Sequence, residues 1–190
     1  MRPFIVIVIA GSLLSCSKAP PQQAVASAPF VPPPPAPPSL QAPICARPGD
    51  KQALDVSALM SELQVVTVTC HTEDQYNALI PHLRPALSTN EKNLDAFFAR
   101  AYGKRATAMH DQYITELANQ QSQLGVKSGD QFCRLNAGLF NDVAPLSTPE
   151  QLAAYAQSKP LQESMAVDEC PAAPPPKPAA THGKPKQKTP

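Results

Sequence analysis

Proline divides this chain before any periodicity is considered. Of its 24 prolines, eleven fall in positions 1–43 and seven in 171–190, leaving six between Cys45 and Cys170. Proline fixes φ and lacks a backbone donor, so the two dense stretches are expected to form neither helix nor sheet. The middle, about 125 residues, is long enough for one hydrophobic core. One modest domain between two arms excludes a multidomain enzyme, a polytopic membrane protein and a large dinucleotide-binding fold. Charge narrows the field further. Residues 45–170 carry ten Lys and Arg against fifteen Asp and Glu, while the tail beyond Cys170 has four Lys and no acid. A mildly acidic domain with a short basic tail is not the electrostatic footprint of a nucleic-acid binder.

The N-terminus predicts the compartment. Arg2 is followed by an eleven-residue apolar run, Phe4 to Leu14, too short to span a bilayer but the length of a signal-peptide hydrophobic region. The run ends Leu13-Leu14-Ser15-Cys16, which resembles the lipobox of bacterial lipoproteins: an apolar residue at −3, a small one at −1, then Cys as the new first residue. The resemblance implies that Cys16 carries a diacylglycerol thioether and an amide-linked acyl chain. At roughly 0.8 kcal/mol per buried methylene, three chains anchor essentially permanently. By the sorting habit of such lipoproteins, Ser17 after the Cys implies an outer-membrane anchor facing the periplasm. The expected organisation is a signal peptide over 1–15, a lipidated Cys and spacer over 16–44, a folded domain over 45–170 and a disordered tail over 171–190.

The arms differ in charge. Residues 17–44 include four consecutive prolines, Pro32 to Pro35, and are expected to sample polyproline II as a spacer holding the domain off the membrane. The tail, with Lys177, Lys184, Lys186 and Lys188, is expected to be disordered and to offer at most weak attraction to anionic envelope material.

Setting Cys16 aside leaves Cys45, Cys70, Cys133 and Cys170, an even number in an exported chain and hence two disulfides in one of three pairings. Cys45 and Cys170 stand where the proline-rich composition stops, so a bond between them would clasp the ends of the domain, leaving Cys70 to pair with Cys133. No Cys-x-x-Cys or His-x-x-x-His pair competes for a metal, and no cofactor is expected.

Between the arms the pattern is helical. Val56, Leu59, Met60, Leu63, Val66 and Cys70 recur at helical spacing, predicting a helix over 51–70, with Val65–Thr69 the one stretch where a strand could intrude. Thr72-Glu73-Asp74-Gln75 has the form of a capping box opening a second helix, which Pro81 and Pro85 should end, kink or split. Ser88-Thr89-Asn90-Glu91 repeats that form and predicts a long helix from 90 to 124, weak at Gly103 and stopped by Gly125. Further helices are expected from Ser128 to Pro145, from Pro149 onward and, for a turn or two, over 161–168. The fold class is therefore all-α, a disulfide-linked bundle of five or six helices flanked by disordered proline-rich arms. Cys70, Gln75-Tyr76-Asn77, Phe97-Phe98-Ala99-Arg100-Ala101-Tyr102-Gly103, Leu117-Ala118-Asn119 and Phe132-Cys133 together resemble a group of uncharacterised small secreted helical proteins of Gram-negative bacteria. That resemblance implies helices and export.

Standard catalytic signatures are missing from the sequence. Cys70-His71 are adjacent and project about 100° apart on a helix, so they do not face each other. His82 and His110-Asp111 lie in polar surroundings and read as solvated. Glu91 and Asp95 share a helix face, as the paired carboxylates of a glycosidase would, but both are explained by the start of a helix. Glu163-Ser164 is similar to the Glu-Ser of lytic transglycosylases without the surrounding motifs. Tyr76, Phe97, Tyr102 and Tyr113 are the candidate partner-binding residues, since exposed aromatics in a Trp-free chain would mark a groove. The expected function is a non-enzymatic binding or assembly module of the cell envelope, lipid-anchored and partnered by another envelope protein. An inhibitor, immunity or surface-exclusion lipoprotein and a small cell-wall hydrolase using paired carboxylates are the alternatives.

Overall fold

The computed structural model describes residues 33–171. The expected signal peptide, Cys16, Ser17 and the tail lysines lie outside the described residues. A short strand β1 (Leu40–Gln41) leads into α1 (Pro48–Cys70), α2 (Glu73–Tyr102), a 3₁₀ turn (Gly103–Arg105) and α3 (Ala106–Ser128). Then follow α4 (Asp130–Leu135), α5 (Leu139–Val143), α6 (Pro149–Gln157) and a second strand β2 (Met165–Ala166). The domain is thus helical, as its periodicity predicts: four helices of nine residues or more carry the packing, and α4 and α5 are single short turns of six and five residues.

Helix α1 is the axis, with α2, α3 and α6 packed around it. Among the described residues it is the helix long and apolar enough to cross a membrane, with mean hydropathy 1.3 over its most apolar window. A helix apolar on most of its circumference belongs in a core, and α1 buries Leu54, Val56, Leu59, Leu63 and Val66 together with Asp50, Asp55 and Glu62. Val65–Thr69 stays helical because the apolar neighbours of α2 and α4 to α6 cover Val65 and Val66, overriding the β propensity of the stretch, while Val68 is left exposed. Asp50 secures the start of the helix: its Oδ2 accepts the Arg47 backbone N–H at 2.8 Å and an Arg100 N–H at 2.5 Å. The Cys45–Cys170 and Cys70–Cys133 disulfides are both formed, the second tying the C-terminus of α1 to α4.

Helix α2 differs from expectation. Pro81 and Pro85 neither end nor split it, and it runs on through Ser88–Glu91 to Tyr102. The two prolines are four residues apart on the exposed face, so the carbonyls deprived of partners, those of Asn77 and Pro81, also face water. Neither predicted capping box on this helix forms. Thr72 precedes it without a side-chain cap bond. Asn90 is buried and donates to Ala53 C=O and Ser57 Oγ, each at 3.3 Å, joining α2 to α1. The expected long helix over 90–124 breaks instead at Gly103, whose φ of 55° is a left-handed conformation that glycine adopts without penalty. Its second half, α3, passes Gly125 and stops at Gly129, φ 53°. A capping box forms instead at Thr148, before α6: Gln151 N–H donates to Thr148 Oγ1 at 3.2 Å, and Gln151 Oε1 accepts from Thr148 N–H at 3.2 Å.

The two ends of the domain are zipped in parallel. Leu40 and Gln41 pair with Met165 and Ala166, and Ala46 bridges Glu169 one step before the disulfide. Residues 161–168, expected to be helical, are therefore extended and contain β2. The stretch 33–44, expected to be only a spacer, is partly structural. Ala36 N–H donates to Gln162 Oε1 at 2.6 Å while Gln162 Nε2 donates back to Ala36 C=O at 2.8 Å, a side chain imitating a strand partner.

Candidate functional site

The aromatic residues expected to face a partner build the core. Phe97 and Tyr113 are fully buried, which corrects their reading as binding residues. Phe97 stands edge-on to Phe98 at 5.3 Å, and Phe98 also packs against Tyr102, His110 and Tyr113 at 5.0–5.8 Å. The cause is the turn at Gly103, which folds α3 back over the aromatic end of α2. Tyr102 is half-buried and its hydroxyl reaches Gln41 C=O at 3.4 Å, supporting β1. Tyr76 is half-buried and its Oη receives Gln64 Nε2 at 3.1 Å. Phe97→Ala is expected to lower unfolding free energy by about 3–5 kcal/mol, the usual cost of removing a buried phenyl ring; urea denaturation measures it. A surface role for Phe97 would instead leave stability within about 0.5 kcal/mol.

The same fold-back assembles a group that the sequence left in two pieces. His110 of α3 presents Nδ1 to Asp95 at 3.2 Å and Nε2 to Glu91 at 3.8 Å, both on α2. These are the ligand-type atoms within 4.8 Å of one another among the described residues. Each carboxylate meets a different ring nitrogen, whereas a metal ion takes only one, so the arrangement is that of an imidazole held between two acids. Glu163 and Ser164 are likewise absorbed by the fold. Glu163 Oε1 accepts the backbone N–H of Ser164 at 2.7 Å and of Met165 at 3.2 Å, and its Oε2 accepts the Tyr113 hydroxyl at 3.4 Å. Ser164 is fully buried and donates to Tyr113 C=O at 3.2 Å. Burial pushes the Glu163 carboxyl up to about 7.

The feature shaped for a ligand lies elsewhere. A cavity of about 430 Å³ opens between the middle of α1, the C-terminal end of α3, the α4–α5 segment, the end of α6 and the arm at Pro33–Pro35. Phe132, Leu135, Leu139 and Leu161 supply apolar wall. In this wall stands Glu62 of α1, 6% exposed, whose carboxyl burial alone pushes from its ordinary value near 4.5 up to about 7. The other charges of the wall are matched. Asp142 accepts from the Tyr155 hydroxyl at 2.9 Å and from Lys159 Nζ at 3.5 Å, and Lys159 also lies over the Tyr155 ring. The wall's amides are used too: Asn136 Nδ2 donates to Phe132 C=O at 3.0 Å, and Gln162 Nε2 to Ala36 C=O and Gln120 Oε1, each at 2.8 Å.

Sequence reasoning passed over Glu62, although a signal existed. Position 62 is three residues after Leu59 and four before Val66, so an acid stands on the very stripe that predicted the buried face. No family model, curated protein or solved structure matches this chain.

Proposed function

We propose that this chain is a lipid-anchored binding protein of the bacterial cell envelope, in which the helical domain holds a component of that compartment in the cavity beside the arm. The observation that carries the binding reading is the cavity itself: mostly apolar walls of a size typical for small-molecule sites, with the Glu62 carboxyl in the wall and no countercharge paired with it among the described residues. The two disulfides support an oxidising compartment, since such bonds persist outside the reducing cytosol. The lipid anchor rests on Leu13, Ser15 and Cys16, and the arm that leads from Cys16 reaches the domain at the cavity wall. On this reading the protein is not an enzyme. Glu91 and Asp95 are engaged with His110, and Glu163 with its own backbone, so the acids considered for catalysis have structural work.

Two measurements test the proposal. Cells expressing the full chain and supplied with an alkynyl palmitate analogue should label it, and Cys16→Ala should abolish the label; label retained in that variant overturns the anchor. A photo-reactive residue at Leu135, which is 53% exposed at the cavity, should crosslink one dominant envelope component. Crosslinks identical to those from an exposed residue far from the cavity, such as Val68, would overturn the binding site.

A further inference from the structure

We propose that the cavity takes a small amphipathic cation, an apolar body carrying one protonated amine that pairs with Glu62; this rests on the binding reading above and gives it a ligand class. The geometry sets the apolar part: about 430 Å³ enclosed by Phe132, Leu135, Leu139, Leu161 and the prolines of the arm. Prolines and leucines offer no donor or acceptor side chain, so affinity there comes from removing apolar surface from water.

Charge sets the head group. The titratable groups of the wall are Glu62 from α1, Asp142 from α5, and Tyr155 and Lys159 from α6 and its end. Asp142 and Lys159 neutralise each other and share Tyr155 between them. The remaining formal charge, when ionised, is that of Glu62. An anionic amphiphile would bring a second negative charge against this carboxylate. A neutral one would leave the carboxylate buried without compensation, which is costly. An ammonium supplies the missing countercharge as a charge-assisted hydrogen bond of the strong kind. The raised pKa of Glu62 has the same origin: burial, with no cation or donor among the described residues to offset it. A bound ammonium therefore favours the ionised form, and binding couples to proton release.

The probes are octylammonium, octanol and octanoate, titrated calorimetrically into the full chain at pH 8. Octylammonium should bind one to one, at least tenfold more tightly than octanol, with octanoate weakest. Glu62→Gln keeps the shape and removes the charge, and should weaken octylammonium at least tenfold without weakening octanol, which no longer buries a carboxylate. Between pH 6 and pH 8 the affinity of the wild type for octylammonium should rise about tenfold as Glu62 ionises. Leu135→Trp, placed at an exposed position of the wall, should weaken both octylammonium and octanol, and unchanged helical circular dichroism shows that the variants are folded. Equal binding of octylammonium and octanol, or a Glu62→Gln variant that binds octylammonium like wild type, overturns the cation while the cavity stands as a binding site. Failure of every probe, in all three charge states, overturns the cavity as a site and with it the binding reading.

Discussion

Reducing the two disulfides is expected to unfold the domain at 37 °C. The Cys45–Cys170 bond spans a sequence separation of 125 and the Cys70–Cys133 bond one of 63. By the loop-entropy relation these constrain the unfolded chain by about 5 and about 4 kcal/mol. Their sum is comparable with the whole stability of a typical domain, about 5–15 kcal/mol. The core does not compensate by size: α4 and α5 are single turns, the sheet is two residues per strand, and several long-range contacts are side chain to backbone. Of the two bonds, Cys45–Cys170 has local reinforcement. Ala46 N–H donates to Asp168 C=O at 2.8 Å and Cys170 N–H to Ala46 C=O at 2.9 Å, so the ends are held in register beside the bond. The Cys70–Cys133 bond instead fixes the C-terminus of α1 to the short α4, which forms one wall of the cavity. The Cys70→Ser/Cys133→Ser double variant should therefore lose octylammonium binding more steeply than the Cys45→Ser/Cys170→Ser one. Thermal melts with and without a thiol reductant give the first result directly. A reduced protein melting within a few degrees of the oxidised one would show that helix packing alone sustains the fold.

The disulfide pairing was legible because composition and chemistry coincide: the proline-rich character ends at Cys45 and resumes after Cys170, where the chain is also cross-linked. Helices α1 and α6 were legible for a similar reason. In α1 the apolar repeat recurs from Val56 to Cys70, and at Thr148 a cap, a proline at the first helical position and a glutamine at the third agree with one another. What escaped is what local chemistry does not encode. Pro81 and Pro85 read as breakers, yet their common solvent face lets the buried stripe of Leu79, Leu83 and Ala86 carry the helix past them. Ser88-Thr89-Asn90-Glu91 has the residue types of a cap, but Asn90 is needed across the helix interface, against Ala53 and Ser57. Strands of two residues leave no alternation to detect, and β1 and β2 exist because residues 125 positions apart are zipped by the ends of the domain. The candidate site shares this character. Glu91, Asp95 and His110 were visible separately and meet only because Gly103 reverses the chain. The cavity needs five separate segments, and its central carboxyl was hidden by the strength of the helical pattern around it.

The domain is expected to be more stable at pH 5 than at pH 8, and Glu62 is the residue that shows why. In the unfolded chain its carboxyl ionises near 4.5, whereas in the folded state burial keeps the proton until about 7. Between those values the unfolded state is charged and the folded state is not, so unfolding releases a proton and stability falls as pH rises. Below about 4.5 both states are protonated and the penalty vanishes; above about 7 both are ionised and it is fully present. The interval corresponds to roughly 3 kcal/mol for Glu62. Glu163, also raised to about 7, contributes in the same direction, although its backbone donors and the Tyr113 hydroxyl keep it in place in either form. Urea midpoints across pH 5–8 should thus decline for the wild type. Glu62→Gln should remove about half of the decline and leave the protein more stable than wild type at pH 8, an unusual gain from replacing a buried residue. Glu163→Gln, which retains an acceptor oxygen for Ser164 and Met165, separates the second contribution. A wild type equally stable at both ends, or a Glu62→Gln variant with an unaltered slope, would mean that water or a counterion reaches the carboxyl and that the cavity wall is not dry. Saturating octylammonium at pH 8 should reproduce the stabilisation seen in Glu62→Gln, because an ammonium beside the carboxylate removes the same penalty that the amide removes by carrying no charge. The agreement of those two independent routes would locate the cation at Glu62 rather than elsewhere on an acidic surface.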